Sequence, residues 1–288
     1  MNQDKLIINF VPTGMIPTKE MNSNVPTSVC EIVEETHKAV ELGITMIHLH
    51  AREEKSGIPT YRKEIYAKLI EGIRRFSKDL IICVSLSGRN FNEFEQRSDV
   101  LQLSGNLKPD MGSLTLGSLN FTQTASVNEP SMVKHLAKEM KNKGILPELE
   151  AFDLGMINYA KFLEKKGLLK PPHYFNLLMG NIAGAQGKLL HAGMMVQDLP
   201  DQSYWSFAGI GDIQLQMNSL AVAFGGGVRV GLEDHIWYDK KRSKLASNME
   251  LLNRIHHLAK IHERDIMSSS QMRENLNLAK GHGQYGRN

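Results

Sequence analysis

Two histidines, His48 and His50, stand two residues apart at the end of the apolar run I-T-M-I-H-L-H-A-R (44–52). On a β-strand such residues project from one face, ~7 Å apart along the chain. Imidazoles leaving a strand end together can share one metal ion through neutral nitrogens, and zinc takes such ligands at ~2.0–2.1 Å. Hydrogen-bonded core histidines show the same spacing, so the pair alone does not decide. A catalytic zinc commonly has three protein ligands and one open position. The best place for a third ligand is V-R-V-G-L-E-D-H (228–235). There Glu233 or Asp234 could ligate while the other acts as a general base, and His235 is a further candidate. Acids also collect at helix starts because the helix dipole favours them there.

Arg229 lies inside the apolar run V-R-V, where a charge is costly unless paired. It pairs with Glu233 or Asp234, or it faces an anionic ligand, whose carboxylate its planar fork would suit. Gly225, Gly226 and Gly227 leave room beside it for a ligand or for a close backbone approach. S-L-S-G-R (85–89) and L-G-S-L-N-F (116–121) offer hydroxyl and amide donors for carboxylate or carbonyl oxygens. Neither marks a serine nucleophile, because G-x-S-x-G is absent and no base is pinned beside a serine.

These residues need a scaffold that gathers strand ends. Eight strand-like runs recur at 5–12, 44–52, 79–88, 111–118, 145–152, 173–180, 203–211 and 226–232. Helix-like stretches separate them, among them 27–42 with Thr27 as N-cap and Gly43 as stop, 62–76, 93–104, 129–143 and 212–224. A long last helix is expected over 243–263 and a tail over 264–288, while 182–198 is ambiguous between loop and helix. Alternating strand and helix means parallel strands joined by crossovers. Eight such units in 288 residues make a (β/α)8 TIM barrel of class α/β, with a C-terminal helical extension. An open doubly wound sheet would want a glycine fingerprint after its first strand, and P-T-G-M-I-P (12–17) is not one. Residues 1–288 therefore read as one barrel domain, with 264–288 as its extension. In a barrel, chemistry sits at the C-terminal strand ends. Thr13, His48, His50, Ser85, Thr115, Glu148, Glu150, Asn176 and Arg229 all fall there. The stretch 281–287 is too small and polar for a core of its own and is expected to be mobile or to cover a neighbouring subunit.

Composition narrows the class further. Lys plus Arg is 34 against 31 Asp plus Glu, a net +3 that gives nucleic-acid binding no electrostatic support. Hydrophobic residues at 41% suffice for a core. Cys30 and Cys83 cannot build a disulfide framework and suggest a reducing compartment. No apolar run approaches the ~18 residues of a membrane span. The start M-N-Q-D-K-L-I-I-N-F reads as a first strand rather than a signal peptide, so a cytoplasmic protein is expected.

The segments together resemble the beta-keto acid cleavage enzymes, of the 3-keto-5-aminohexanoate type. The matching pieces are P-T-G (12–14), I-H-L-H-A-R (47–52), S-L-S-G (85–88), L-G-S-L-N-F (116–121), P-E-L-E-A-F-D (147–153), G-I-G (209–211), R-V-G-L-E-D (229–234) and S-N-M-E-L-L (247–252). The resemblance implies a zinc-bearing barrel that exchanges acyl groups. A β-keto acid and the co-substrate acetyl-CoA would give acetoacetate and a new CoA thioester. It implies His48, His50 and Glu233 as zinc ligands, and Asp234 and Arg229 as the acid–base and charge-stabilising pair. It implies Ser85, Gly88, Ser118 and Asn120 as the groups that hold substrate, Ser85 also with a catalytic part, and a homotetramer joined through the last helix and tail. One departure stands out. The aminohexanoate enzyme carries a glutamate two residues after its first-strand T-G pair, and here that place is Ile16. A different β-keto acid follows, with Lys19 or Glu20 as groups that would reach the mouth instead. The rival readings are a zinc hydrolase or aldolase on the same barrel, without CoA, and a non-catalytic metal- or ligand-binding protein.

Overall fold

The computed structural model describes residues 4–287, so Met1, Asn2, Gln3 and Asn288, with the readings that touch them, lie outside the described residues. Eight parallel strands close a barrel: β1 (Ile8–Phe10), β2 (Met46–Leu49), β3 (Ile81–Val84), β4 (Met111–Thr115), β7 (Leu146–Ala151), β8 (His173–Met179), β9 (Ser203–Gly209) and β10 (Gly227–Val230). The first strand pairs with the last, Asn9 beside Arg229, which seals the ring. After β4 the chain adds a small antiparallel hairpin, β5 (Leu119–Asn120) and β6 (Ala125–Ser126), absent from the sequence expectation.

Helices cover the outside: α1 (Val29–Leu42), α2 (Lys63–Phe76), α3 (Phe94–Ser98), α4 (Pro130–Lys143), α5 (Leu154–Lys165), α6 (Leu189–Gln197), α7 (Gln214–Ala223) and α8 (Asn248–Ile261). Ser28 rather than Thr27 caps α1, in a capping box with Glu31. The backbone N–H groups of Thr27 and Ser28 both reach back to the Glu31 carboxylate. The stretch expected to be helical over 93–104 breaks into five α-helical residues and a 3-10 turn, Asp99–Gln102. Among the described residues no helix is long and apolar enough to cross a membrane.

Strand alternation sorts side chains into inside and outside. Residues Ile8, Phe10, Ile47, Leu49, Ile82, Val84, Leu149 and Ala151 point outward into the shell beneath the helices. Their neighbours point into the barrel and form layers. The lowest layer is apolar: Ile7, Met46, Ile81, Met111 and Leu146. The middle holds polar groups that bond to one another, Asn9, His48, Glu148 and Asn176 among them. His50, Ser85, Glu150 and Arg229 rise above it at the mouth, the first two in register two residues beyond His48 and Cys83. A hydrophobic floor and a polar top follow from period-2 geometry, once the strands begin apolar and end polar.

The segment after α8, expected over 281–287 to be mobile or to cover a neighbouring subunit, packs against this chain's own barrel. It contains a further helix, α9 (Ser269–Asn275), with its own capping box at Ser268. Met267, Met272, Leu276 and Leu278 pack onto the apolar floor of the barrel. Arg273, 1% exposed, makes paired bonds to both oxygens of Asp110 at 2.9 and 2.8 Å. The Gly286 N–H also donates to Asp110, and the Arg287 N–H to the Gly144 carbonyl. Polar residues thus close the base by bonding to backbone and to one buried acid, which supplies what the tail lacks in apolar area.

Candidate metal and substrate site at the barrel mouth

β2 delivers His48 and His50 to the inside of the ring on consecutive pleats. Their Nε2 atoms face each other at 3.2 Å. The loop after β10 swings back over the mouth and sets Glu233 Oε1 3.1 Å from His50 Nε2. Gly14 permits this approach: a Cβ there would sit 2.5 Å from the Glu233 Cγ, and its φ of +67° suits glycine. Three lone-pair atoms can face one another only around something positive, a shared proton or a metal ion. Donors on a tetrahedral metal at 2.0–2.1 Å lie about 3.3 Å apart. The separations here match that edge, and the donor set of two imidazoles and a carboxylate is one that zinc accepts. The second oxygen, Glu233 Oε2, is buried with no hydrogen-bond partner, as a ligand oxygen would be.

Glu148 fixes the orientation of His48. Its Oε2 lies 2.5 Å from His48 Nδ1 and accepts the Cys83 thiol at 3.2 Å, while Oε1 accepts Asn9 Nδ2 at 2.7 Å. A carboxylate accepts, so the ring carries its proton on Nδ1 and turns Nε2 toward His50. Burial alone would lower the His48 pKa, but the Glu148 charge outweighs it and holds the ring up at about 9, so without a metal Nε2 carries a proton as well, the positive charge that His50 and Glu233 then face. Burial likewise works against the Glu148 carboxylate, and His48 and then Arg229 override it, holding it at about 2. His48, Cys83 and Glu148 also come within ligating distance of one another. Burial and then Glu148 push that thiol well up, and in this arrangement it donates to Glu148 Oε2.

Arg229 resolves the choice left open by its place in V-R-V. Its guanidinium pairs with both oxygens of Asp234, at 3.1 and 3.2 Å, and with Glu233 Oε1 at 2.6 Å. The remaining nitrogen, Nη1, is buried with no hydrogen-bond partner and lies 3.5 Å from Glu150 Oε1. Burial, reinforced by Glu233, raises the Asp234 pKa to about 6 even against the Arg229 charge. Burial also opposes ionisation of Glu233, but Arg229 and His50 outweigh it and hold that carboxyl well below the usual range. Burial raises Glu150, whose Oε2 accepts the Thr115 hydroxyl at 2.6 Å.

The other expected residues divide. Ser85 is buried beside His50 in a cleft also lined by Met15, Tyr61, Tyr66 and Phe91, and its hydroxyl accepts the Ser87 N–H at 3.3 Å. Gly88 is needed for packing: a Cβ would meet the Val127 carbonyl at 2.5 Å and Arg97 Nη1 at 2.7 Å. Ser118 and Asn120 are exposed on the hairpin side. The Ser118 hydroxyl accepts the Asn128 N–H at 2.8 Å, and the Asn120 carbonyl accepts Asn181 Nδ2 at 2.9 Å. Lys19 is an exposed partner of Glu31 at the start of α1, 2.5 Å away, and Glu20 is exposed. Ile16 is 52% exposed. The glycines before Arg229 admit neighbours rather than ligand: a Cβ on Gly226 would enter the Trp205 ring, and one on Gly227 would meet Ser206 Oγ. His235 turns to Asp212 at 3.7 Å, away from the histidine pair. Sequence reasoning gave Glu148 and Glu150 no role; the E-L-E spacing on a barrel strand, which sends both carboxylates inward, was the available signal.

The sequence profile of the beta-keto acid cleavage enzymes matches residues 5–278. The chain belongs to that family. It is 38% identical over 280 residues to the 3-keto-5-aminohexanoate cleavage enzyme of Fusobacterium nucleatum, covering 96% of this chain and 99% of that one. It is 35% identical over 276 residues to the 3-oxoadipate:acetyl-CoA acetyltransferase of Cupriavidus necator, covering 94% of each. Among solved structures, the apo structure of ObcA superposes with a TM-score of 0.74 at 18% identity, covering 88% of this chain and 65% of that one, a likeness of fold.

Proposed function

We propose that this family member is a zinc-dependent β-keto acid:acetyl-CoA cleavage enzyme whose metal is held by His48, His50 and Glu233. The observation that carries the metal site is the convergence of these donors, 3.2 and 3.1 Å apart, with Glu233 Oε2 free of other partners. When bound, the metal supplies Lewis-acid polarisation of a substrate carbonyl. In the exchange, the bond between C2 and C3 of the keto acid breaks and C2 joins the acetyl carbonyl carbon. The CoA sulfur moves to the released acyl group, so acetoacetate and a new thioester form and no water is consumed.

The protein's own groups then take these roles. Asp234, with a pKa of about 6, is a base matched to neutral pH; it accepts the proton from C2 and returns one to that carbon once the C2–C3 bond has broken. Arg229 grips Asp234 through Nε and Nη2 and keeps Nη1 for the oxygen on which charge develops, a contact typically worth about 3–4 kcal/mol. Ser85 borders the cleft beside His50 and offers its hydroxyl proton to the substrate carboxylate. Gly88, Ser118 and Asn120 shape the substrate side of the mouth, the first by letting the hairpin approach. A place in the cytoplasm, a single barrel domain with 264–288 as an extension, and a homotetramer complete the reading.

Purified protein, never exposed to chelator, is assayed for metal and incubated with acetyl-CoA and a panel of β-keto acids. About one zinc per chain and acetoacetate from some panel members is the expected result. Metal with no acetoacetate would favour the hydrolase or aldolase reading, and absence of metal would refute the site.

A further inference from the structure

The mouth carries a cation that the exchange chemistry does not use. Arg89 follows Gly88 in the loop after β3, and Gly88 is wedged against Val127 and Arg97, which fixes where the loop runs. The Arg89 guanidinium lies 3.5 Å from the centroid of the Phe121 ring. Phe121 stands in the tight turn of the β5–β6 hairpin and packs edge-on against Phe152 at the end of β7, ring centroids 6.0 Å apart. The arginine is thus held flat on an aromatic support, half-buried, with no carboxylate in ion-pair distance among the described residues. Burial lowers its pKa and the charges of Glu233 and Glu150 act against that, so its head lies within electrostatic reach of the site. Arg52 and Arg97 add to the positive field. Arg52 bonds to the carbonyls of Gly14, Pro17 and Gly57, and Arg97 to those of Leu86 and Val127, neither with an acid partner among the described residues.

We infer that Arg89, propped on Phe121, receives a carboxylate at the far end of the substrate, so that the preferred β-keto acid is a 3-oxo dicarboxylate. This rests on the cleavage reading above and names its substrate class. A flat guanidinium with its edge free presents two parallel N–H donors, the geometry that a carboxylate takes up. An ammonium-bearing substrate would be repelled by the same group. Arg89 is a specificity residue and makes no contact required by the bond exchange.

The test pairs a 3-oxo dicarboxylate with the 3-oxo monocarboxylate of equal chain length. Wild-type protein should bind the diacid at least about 10-fold more tightly by calorimetry without acetyl-CoA, and turn it over with higher kcat/KM. Arg89→Gln should lower kcat/KM for the diacid about 10- to 100-fold, leave the monoacid within about 3-fold, and leave the KM for acetyl-CoA unchanged. Arg89→Lys, which keeps the charge, should fall between. Equal binding of the two acids by the wild type overturns the proposal, and so does equal loss on both acids. A rise confined to the acetyl-CoA KM overturns it too, because Arg89 would then serve a phosphate of CoA. Diacid preference in calorimetry without any acetoacetate formed would uphold Arg89 and refute the exchange reading instead.

Discussion

Replacing Glu148 by glutamine removes one charge at the centre of the barrel while changing little of its shape. Glu148 is fully buried and accepts from His48 Nδ1 at 2.5 Å, from the Cys83 thiol at 3.2 Å and from Asn9 at 2.7 Å. A glutamine keeps one acceptor oxygen, which can serve Asn9, but turns an amide donor toward two other donors. The lost charge-assisted bond to His48 is worth about 1.5–3 kcal/mol, a factor of about 10 to 150. If Glu148 acts by holding the His48 ring, that energy appears as weaker metal binding, and an outer carboxylate of this kind typically sets 10- to 100-fold in affinity. Competition against a chromophoric chelator measures it directly, in protein whose folded state is checked by circular dichroism. Expected is a loss of about tenfold or more in zinc affinity, with turnover falling in proportion at limiting metal and recovering when zinc is in excess. Affinity unchanged within about twofold would refute the reasoning, because the His48 orientation would then be set by packing alone.

Three further outcomes follow from the same contacts. Asp234→Asn should keep zinc bound and lose turnover, measured by metal content and acetoacetate formation on one preparation; loss of zinc would show that Asp234 is more than a base. Asp110→Ala leaves Arg273 buried without its carboxylate and should cost about 3–5 kcal/mol in a denaturant titration, with metal affinity per folded molecule unchanged. The third concerns acid. Burial opposes the Glu31 charge, but Lys19 and the α1 cap hold its pKa down at about 2 from 4.5, so its stabilising effect is complete above pH ~4.5 and lost as pH falls toward ~2. Glu31→Gln should flatten that part of the pH–stability curve by no more than about 1 kcal/mol, since the pair is solvent-screened; an unchanged acid limb would contradict it.

The barrel was legible because parallel strands buried on both faces leave short apolar runs, and each of the eight falls inside its expected segment. The histidine pair and the R-V-G-L-E-D loop were legible for a different reason. Both are local in sequence, so spacing alone places His48 with His50 and Arg229 near Glu233 and Asp234. What escaped was non-local. Glu148 meets His48 across 100 residues, and nothing in a glutamate within L-P-E-L-E-A says which histidine it will hold. Asp110 meets Arg273 across 163 residues, joining a strand start to a segment with little hydrophobic pattern. The hairpin that lifts Phe121 to Arg89 has strands of two residues each, too short for any periodicity to register. Lys19 or Glu20 was expected to reach the mouth in place of an acid at Ile16, yet Lys19 pairs with Glu31 of the α1 capping box and Glu20 is exposed.

The base of the barrel has a consequence for how the chain comes off the ribosome. β1 has no neighbour on one side until β10 is made, and the floor waits longer still, for Leu6 to pair with Ile266 and for Gly286 to reach Asp110. A nascent chain stalled anywhere short of those residues carries an open-edged, half-wound sheet with its inner apolar layer wetted from below. Such an intermediate is a natural client for chaperones and proteases. Fluorophores and affinity handles are better tolerated on the exposed helix faces than beside residues 284–287, where an added mass would pull at the latch that completes the fold.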